Sequence, residues 1–232
     1  MSKVALITGV GPGTGAALAR RFSSGGFRVA MIARDADRLS MLEAEIPASL
    51  GIAVDVTDSE ALDAAIARVE RDLGVPEIVI HNAVGGVFGN FQQIEPEALE
   101  RNFQVNVMAL LHLARRCTPA MVEAGRGCLI ASGNTSAFRG KPNFAGFAPT
   151  KAAQRILAEA IARELGPKGV HVAFVMIDAV IDLAWTRALR PDAPDAYFIQ
   201  PADIAEEIWH VAHQPRSAWS FNVEVRPFGE VW

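Results

Sequence analysis

The residues with the clearest chemical potential lie in the stretch NFAGFAPTK, residues 143–151, where Lys151 follows Phe147 by four positions. Side chains at this spacing share one face of a helix, so the ammonium group and the phenyl ring are expected to be neighbours. A buried lysine binds polar ligands and shifts its pKa readily, whereas a phenyl ring exchanges no proton. The pair therefore indicates a site that binds through its lysine and whose acid, if it has one, is not residue 147.

A second group of residues with a chemical role is the glycine-rich turn after the apolar run VALIT. Its letters TGVGPGTG fit the pattern T-G-x-x-x-G-x-G and comprise Thr8, Gly9, Gly13, Thr14 and Gly15. Glycines let the backbone approach a pyrophosphate, and the helix that follows offers free N–H groups to that anion. No GK[ST] follows, which excludes a P-loop. A tight turn without a ligand is the alternative, but its place between the first strand and the first helix favours a dinucleotide.

The end of the second apolar run, Ala33-Arg34-Asp35, bears on which dinucleotide would bind. An acid at a strand end accepts hydrogen bonds from a ribose 2′-hydroxyl, whereas an arginine pairs with a 2′-phosphate. Because residue 33 is apolar and Arg34 follows, the sequence favours NADP over NAD. Two alternatives stay open: Asp35 or Asp37 neutralises Arg34 at the surface, or Asp35 itself binds the ribose.

These residues need a scaffold that brings strand ends together, and the hydrophobic pattern predicts one. Short apolar runs alternate with amphipathic helical patterns, and most runs lack the polar alternation of a half-exposed strand. The predicted strands are Val4–Thr8, Arg28–Ala33, Ile52–Val56, Ile78–His81, Cys128–Ser132, Val170–Ile177 and Phe221–Val225. Strands joined by single helices imply right-handed crossovers. The sequence thus predicts an α/β, Rossmann-like single domain over residues 1–232, with a doubly wound parallel sheet of about seven strands and helices on both faces.

Local signals mark where three of the helices begin and end. Residues 57–60 fit a capping box ahead of an amphipathic pattern. A second helix is predicted from Pro96 to Gly125, because proline suits a first turn and glycine suits the position after a helix end. A third is predicted from near Ala145 to Gly166-Pro167.

Composition narrows the classes of partner. Half of the 232 residues are hydrophobic, 21% are charged, and the formal net charge is −4. These values are typical of a globular protein with a large core, and the lack of a basic stripe argues against a nucleic-acid partner. No apolar stretch approaches the roughly twenty residues of a spanning helix, so we expect no membrane partner.

The cysteine and histidine spacings give no sign of a metal site. Cys117 and Cys128 lack CxxC spacing and are typical of thiols in a reducing compartment, with a disulfide as the alternative. His210 and His213 have no HEXXH pattern and no further ligand at zinc spacing. We therefore expect no metal and a cytoplasmic location.

Further motifs give the whole chain a resemblance to a known family. The motifs are the glycine turn, DVTD at 55–58, HNAV at 81–84, VNV at 105–107 and F-x-x-x-K at 147–151. In this order and spacing they resemble the short-chain dehydrogenase/reductase (SDR) family. The resemblance implies NAD(P) binding, with Asp55 and Val56 flanking the adenine and Asn82 and Ala83 lining the adenosine side. It also implies a small-molecule substrate and a homodimer or homotetramer.

The chain keeps two of the four residues that carry the chemistry of the resembled family. In that family a tyrosine exchanges the proton, a lysine holds the nicotinamide ribose, a serine positions the substrate oxygen and an asparagine supports a proton-relay water. Asn106 and Lys151 match, whereas Phe147 stands at the tyrosine position and Asn134 at the serine position. Asn134 retains an amide N–H that could steady an oxyanion. Phe147 removes an acid of a kind that typically contributes about 10²–10⁴-fold in rate.

Several groups could replace the missing acid. Tyr197 is the only tyrosine and falls in residues 183–200, where the resembled family has a substrate lid; simple ring packing is the alternative. Asp178 stands where the family commonly has Pro-Gly, and a cap or turn is its alternative role. Lys151 would serve directly if its surroundings lowered its pKa, and solvent or the substrate itself could also supply the proton.

The end of the chain is unusually aromatic, with Trp219, Phe221, Phe228 and Trp232. Its plain interpretation is a last strand packed on the core. By resemblance, this end also joins subunits or borders the substrate pocket.

Three functions are consistent with these residues. The first is an NADP(H)-dependent oxidoreductase that acts on a small organic substrate by hydride transfer with a non-standard proton donor. The second is a catalytically silent dinucleotide-binding protein, either a sensor or a partner subunit. The third is a structural subunit that binds no nucleotide. The glycine turn together with Asn106 and Lys151 favours the first.

Overall fold

A computed structural model describes residues 3–229, and its strands form one large sheet and one small one. The strands are β1 Val4–Thr8, β2 Arg28–Ala33, β3 Ser49–Ala53, β4 Ile78–His81, β5 Gly127–Gly133, β6 Val170–Ile177, β7 Val180–Ile181, β8 Phe198–Ile199 and β9 Asn222–Val225. Seven of them form a parallel sheet in the order β3-β2-β1-β4-β5-β6-β9. The short strands β7 and β8 pair with each other.

The strand order reverses at β1, which has β2 on one side and β4 on the other. Thr8, the last residue of β1, pairs with Ile32 of β2 and with His81 of β4. In open parallel sheets, ligands bind outside the carboxyl ends of the strands at such a reversal. The polar residues that follow β1, β2 and β4 therefore meet at one edge of the sheet.

Helices cover both faces of the sheet. They are α1 Thr14–Ser24, α2 Ala36–Glu45, α3 Ser59–Asp72, α4 Pro96–Phe103, α5 Ala109–Glu123, α6 Ala148–Leu165, α7 Ala184–Leu189 and α8 Pro201–Ala212. One hydrophobic cluster joins α3, α5 and α6 to the sheet, and a second joins α1, α2 and α8 to it. In β1, Val4 and Leu6 belong to the first cluster while Ala5 and Ile7 belong to the second. Burial on both faces explains why the apolar runs do not alternate with polar residues.

This architecture confirms the predicted doubly wound sheet, but the predicted third strand, Ile52–Val56, is wrong. The observed strand is Ser49–Ala53. The chain leaves the sheet before Asp55, whose carboxylate closes a local turn by accepting hydrogen bonds from the Thr57 backbone N–H at 3.0 Å and hydroxyl at 2.9 Å. The buried Val56 contacts the core from outside the sheet, so its hydrophobicity gave a false strand signal.

Two of the three predicted helix starts are also corrected. The N-cap of α3 is Asp58, whose side chain accepts from the Ala61 N–H at 3.0 Å, so the predicted capping box from Thr57 is wrong. Helix α6 begins at Ala148 rather than near Ala145, because the preceding chain forms turns and Phe144 makes a β-bridge with Gly89. The predicted start at Pro96 is confirmed.

The aromatic end of the chain packs partly on the core. Strand β9 lies beside β6, and the Trp219 ring stacks on His171 with centroids 4.9 Å apart. Phe228 is 95% exposed, and Trp232 lies outside the described residues. Within residues 3–229, no helix has the length and apolar character needed to cross a membrane.

The two cysteines are both free and buried, so the disulfide alternative is wrong. Burial raises the pKa of each thiol, Cys117 and Cys128, to about 12. Across residues 3–229, no three His, Cys, Asp or Glu side chains come together as a set of metal ligands.

Candidate cofactor and catalytic site

The glycine turn between β1 and α1 depends on close backbone contacts. Gly9 has φ +71°, and a Cβ on it would lie 2.4 Å from the Ala83 Cα, which is closer than real atoms approach. A Cβ on Gly15 would lie 2.5 Å from the Gly9 carbonyl oxygen. By contrast, a Cβ on Gly11 would meet no atom within 4 Å, so the turn is open on that side. At Gly11 the backbone of the turn therefore faces open space at the edge of the sheet.

The start of α1 leaves polar groups without partners beside this opening. Gly13 occupies the N-cap position and provides no side-chain cap. The Thr14 hydroxyl is buried and has no hydrogen-bond partner within residues 3–229. A helix N-terminus carries a partial positive charge and free N–H groups. The cradle and the unsatisfied hydroxyl fit an anion such as a pyrophosphate.

Two consecutive residues at the end of β4, His81 and Asn82, tie the glycine turn to its neighbours. The Asn82 side chain donates to the Gly9 carbonyl at 2.9 Å and accepts from the Ser132 hydroxyl at 3.1 Å. His81, which is fully buried, lies between the Thr8 hydroxyl and the Val105 carbonyl, with both contacts at 3.0 Å. Because a carbonyl only accepts, Nε2 carries the proton and Nδ1 accepts from Thr8. Burial lowers the pKa of His81 to about 3, so the ring is neutral.

Arg34 is exposed at the end of β2, where the dinucleotide preference was predicted to arise. Asp35 caps α2 by accepting from the Arg38 N–H at 3.0 Å, and it pairs with the Arg38 guanidinium at 2.8 Å. Its oxygens are thus already occupied by α2. The pKa of Asp55 is lowered by the N–H of Thr57, with smaller contributions that include the charge of Arg34. The carboxylate of Asp35 is therefore held by Arg38, and the predicted pairing of Asp35 with Arg34 is not formed.

Asn106 lies in a π-helical turn, Gln104–Met108, between α4 and α5. Its amide accepts from the Gly85 N–H at 3.0 Å and donates to the Gly85 carbonyl at 2.8 Å. It also donates to the Thr150 hydroxyl of α6 at 2.8 Å. These bonds tie the loop after β4 to the start of α6, so the helix distortion positions the loop that borders the site.

Lys151 is buried behind the end of β5, with only 2% of its surface exposed. Its Nζ donates to the Ser132 carbonyl at 3.3 Å and to the Gln154 Oε1 at 2.9 Å. Burial lowers the pKa of Lys151 from 10.5 to about 7. Ser132 and Asn82 connect this amine to Gly9 of the glycine turn: the Ser132 carbonyl accepts from Lys151, the Ser132 hydroxyl donates to Asn82, and Asn82 donates to Gly9.

Phe147 occupies the N-cap position of α6 and is 5% exposed. Its ring centroid lies 5.9 Å from the Lys151 Nζ, so the predicted proximity of ring and amine is confirmed. It packs against Phe88 at 5.1 Å and against Phe144 at 6.5 Å between centroids. The position thus forms part of an aromatic cluster, Phe88, Phe144 and Phe147, beside the lysine.

Asn134 follows β5 and caps a short 3₁₀ turn. Its Oδ1 accepts from the Ser136 N–H at 3.1 Å. This contact fixes the amide plane and leaves Nδ2 as the group able to donate to a ligand. The predicted donor role is therefore compatible with the local geometry.

A family model described as short chain dehydrogenase matches residues 3–191 of the chain. The chain belongs to the short chain dehydrogenase family. It is 27% identical to an "uncharacterized oxidoreductase" of Staphylococcus aureus over 227 residues, which span 97% of each protein. It is 32% identical to the D-erythrulose reductase of Gallus gallus over 169 residues, which span 72% of this chain and 67% of that enzyme. A metagenomic short-chain oxidoreductase, solved in complex with NADP, is 31% identical over 97% of each chain, with a TM-score of 0.84.

Two of the groups considered as a replacement for the missing acid of this short chain dehydrogenase have other contacts. Asp178 accepts a hydrogen bond from the Thr135 hydroxyl at 2.7 Å and lies 3.6 Å from the Arg139 guanidinium. The Tyr197 ring packs edge-on against Phe198, with centroids 5.2 Å apart. None of these three contacts includes Lys151, Asn106 or Asn134.

The segment predicted to be the lid, residues 183–200, contains α7 and β8 and is held by ion pairs. Arg187 binds Asp182 at 2.7 Å and Asp195 at 2.6 Å, and this guanidinium lowers the pKa of Asp182 to about 2. Leu183 covers Gly13, because a Cβ there would lie 2.8 Å from the leucine Cδ2. The segment thus borders the phosphate side of the candidate site.

One residue of the site and one contact of the predicted lid were missed by the sequence interpretation. Gln154 is fully buried and supplies the shorter of the two hydrogen bonds to Lys151. Its position three residues after the lysine, on the same helix face, was the available signal. Leu183 had no comparable signal, since its contact with Gly13 spans most of the chain.

Proposed function

We propose that this short chain dehydrogenase is an NADP(H)-dependent oxidoreductase that acts on a small organic substrate with a non-standard proton donor. The observation that carries the proposal is the path from Lys151 through Ser132 and Asn82 to Gly9. A buried amine and a bare glycine turn, linked at one sheet edge, suit the two ends of one extended ligand.

The residues present fit such a dinucleotide. The glycine turn and the start of α1, with the unsatisfied Thr14 hydroxyl, would hold the pyrophosphate. Asp55, Val56, Asn82 and Ala83 would border the adenosine, and Lys151 would donate to the nicotinamide ribose. The bound nicotinamide would supply or accept the hydride. The relative solved with NADP supports this choice of ligand.

The substrate side favours an apolar molecule. Phe88 is 61% exposed and covers the more buried Phe144 and Phe147. A neighbouring groove of about 580 Å³, lined by Phe144 and mostly apolar side chains, is of a size suited to a small organic compound. We propose a carbonyl, imine or activated C=C compound as the substrate class.

The remaining predictions from the sequence belong to the same proposal. The chain acts as a single domain over residues 1–232 in which residues 183–200 form the substrate lid. It functions as a cytoplasmic homodimer or homotetramer. The ion pairs of Arg187 and the contact of Leu183 with Gly13 support a lid role for this segment.

The proposed preference for NADPH over NADH can be tested by replacing Arg34. NADPH at a hundred times its dissociation constant should stabilise the protein by about 2.7 kcal/mol, and NADH at the same concentration should stabilise it less. We expect Arg34→Glu to weaken NADPH binding at least about tenfold and to change NADH binding little, because the lost partner is a 2′-phosphate. Thermal-shift titration measures both effects. Arg163→Glu, at an exposed position of α6, is the matched control.

Equal affinity of Arg34→Glu and wild type for NADPH would contradict the assignment of NADP to this edge. No shift with any dinucleotide would contradict the proposed function itself and favour a structural subunit.

A catalytically silent dinucleotide-binding protein is the second candidate function. It is favoured by the aromatic ring of Phe147 at the position of the family's acid, and by the capping contact that occupies the Asn134 oxygen. Oxidation of NADPH by the wild type in the presence of carbonyl, enone or imine compounds would exclude this candidate.

Placing a tyrosine at position 147, where the family has its acid, tests whether the other residues of the site support carbonyl reduction. We expect Phe147→Tyr to leave NADPH affinity unchanged within about twofold and to raise reduction of a carbonyl probe by at least about tenfold. The reason is that Lys151 and the glycine turn are untouched while a phenol appears beside the amine. Phe144→Tyr, which adds the same hydroxyl to the neighbouring ring, should give no gain. A Phe147→Tyr variant that binds NADPH but gains no activity would show that Asn134 or the Ile177–Asp182 segment also departs from a productive geometry.

A further inference from the structure

We propose that Lys151 itself delivers the proton that a tyrosine delivers elsewhere in the family, and that Gln154 is the residue that positions it. The inference rests on the proposed function, since a proton donor has a role only where hydride is transferred. It selects one group among those the sequence left open.

The contacts of Lys151 leave its charge without an ionic partner. Within residues 3–229, its Nζ donates to two neutral oxygens, those of Gln154 at 2.9 Å and Ser132 at 3.3 Å, and to no carboxylate. A buried ammonium in such surroundings is not held in its charged form by an opposite charge, so it can release a proton.

The groups that face the amine from the neighbouring strands and from α6 are also uncharged. From β4, His81 is the titratable neighbour, and it is neutral because burial lowers its pKa to about 3. From β5 the contact is a backbone carbonyl, and on α6 itself Phe147 and Gln154 carry no charge. Burial alone then lowers the pKa of Lys151 to about 7, near the value at which a general acid is most effective.

Gln154 has contacts that a purely structural residue would not need. It is fully buried, its Oε1 accepts from Lys151, and its Nε2 has no hydrogen-bond partner in the described chain. The amide cannot be reversed, because its NH₂ would then face the ammonium group. An unsatisfied buried donor is destabilising, so core packing alone would favour an apolar side chain here. The presence of Gln154 is therefore explained by its hydrogen bond to Lys151, which lies one helical turn away.

The other two side chains considered as the acid have different neighbours. Asp178 already accepts from Thr135 and faces Arg139, so both of its contacts are with donors. The Tyr197 ring is packed on Phe198 in the lid segment. Phe147 carries no hydroxyl, so in this proposal the substrate oxygen, or one bridging water, takes the position beside the amine.

The step balances without a further reactant. When hydride adds to the carbonyl carbon, the π electron pair moves to oxygen. The N–H group that makes the longer contact, with the Ser132 carbonyl at 3.3 Å, turns to the substrate; this N–H bond breaks and its proton passes to that oxygen, directly or through the water. The neutral amine then regains a proton from solvent, so each reduction takes up one proton from water. An imine nitrogen would accept the proton in the same way.

Titration of the cofactor-free protein tests the environment of the amine without any turnover. With ¹³C-labelled lysine, the Cε signal assigned by its loss in Lys151→Arg should titrate with a midpoint near 7 rather than 10.5. Gln154→Glu should raise this midpoint by about one to three units, because a carboxylate beside the amine favours the ammonium form. Gln154→Met removes the acceptor and should lower it. Gln92→Glu, the same charge change in an exposed loop, should leave it unchanged.

The pH dependence of the reduction rate must change in the same direction as the pKa of Lys151 in each variant. With NADPH saturating and 1-phenyl-1,2-propanedione as the probe, the wild-type rate should fall as the pH rises above the pKa of Lys151. The midpoint of this alkaline limb of the pH–rate profile should shift to higher pH in Gln154→Glu and to lower pH in Gln154→Met. Either variant alone suffices if the other fails to fold. A midpoint at the ordinary lysine value, or a limb that stays in place while the NMR midpoint moves, would overturn the inference. An enzyme that binds NADPH but turns over no carbonyl, enone or imine probe would instead contradict the proposed function.

Discussion

Replacing Lys151 by methionine should make the cofactor-free protein more stable at pH 6 by a net amount of about 2–4 kcal/mol. The buried ammonium group has only neutral oxygens as partners, and the pKa of Lys151 falls to about 7 because of burial. Such a shift corresponds to roughly 5 kcal/mol of unfavourable free energy for the charged form. Part of the gain is offset because Gln154 loses its donor, and an unsatisfied buried amide is destabilising.

The sign of the pH dependence follows from proton binding. Between the folded pKa of about 7 and the ordinary value of 10.5, the unfolded chain keeps the lysine proton while the folded protein has lost it. The wild-type free energy of unfolding should therefore rise with pH across this window because of this group. Below pH 7 both states are protonated, and the lysine contributes no further pH dependence.

Urea unfolding of the two proteins at several pH values measures this difference. The variant should lack the rise between pH 7 and 10.5, and Lys168→Met, at an exposed ion pair with Glu164, should behave as the wild type. The same Lys151→Met variant should lose turnover. A wild type whose stability does not rise with pH relative to the variant would show that the amine is solvated or paired in solution.

This combination of lost activity and gained stability has a structural reason. A lysine buried without a carboxylate is unfavourable for the folded state, and an apolar side chain would fill the same space more favourably. Its presence beside Ser132 and Gln154 is therefore explained by a ligand or a reaction rather than by the stability of the fold.

The sheet was largely predictable from the sequence because both of its faces are buried. Strands β1, β2, β4 and β6 are mostly apolar runs whose ends match the predicted boundaries. Strand β3 was displaced because Val56 contacts the core after the chain has left the sheet. Hydrophobicity reports burial in both cases, and it does not distinguish a strand from a buried loop.

The candidate site was predictable where it depends on local motifs and unpredictable where it depends on helix geometry. The glycine turn follows from spacing alone, since Gly9 and Gly15 leave no room for a Cβ. The π turn at Gln104–Met108 left no mark in the helical pattern, because one added residue per turn changes the hydrophobic period very little over so short a stretch. The start of α6 at Ala148 depends on the distant bridge between Gly89 and Phe144.

Replacing His81 by asparagine, a neutral amide without a titratable ring, should remove a large acid sensitivity of the protein. Burial lowers the pKa of His81 from 6.5 to about 3, so the unfolded chain binds a proton in this window while the folded protein does not. The wild-type free energy of unfolding should consequently fall by roughly 5 kcal/mol between pH 6.5 and pH 3 because of this group.

At neutral pH the His81→Asn variant should be less stable than the wild type by about 1–2 kcal/mol, since the shorter side chain cannot bond both Thr8 and Val105. On acidification the order should reverse, because the variant has no imidazole to protonate. Urea unfolding at matched pH values measures the crossing, and comparison of the two proteins cancels the shared contribution of the carboxylates. His210→Asn, at an exposed position of α8, should show no crossing.

If the two curves stayed parallel down to pH 3, the imidazole would have to be solvated or already charged in the folded state. The bond from Nε2 to Val105, which holds the π turn against β4, would then need a different explanation.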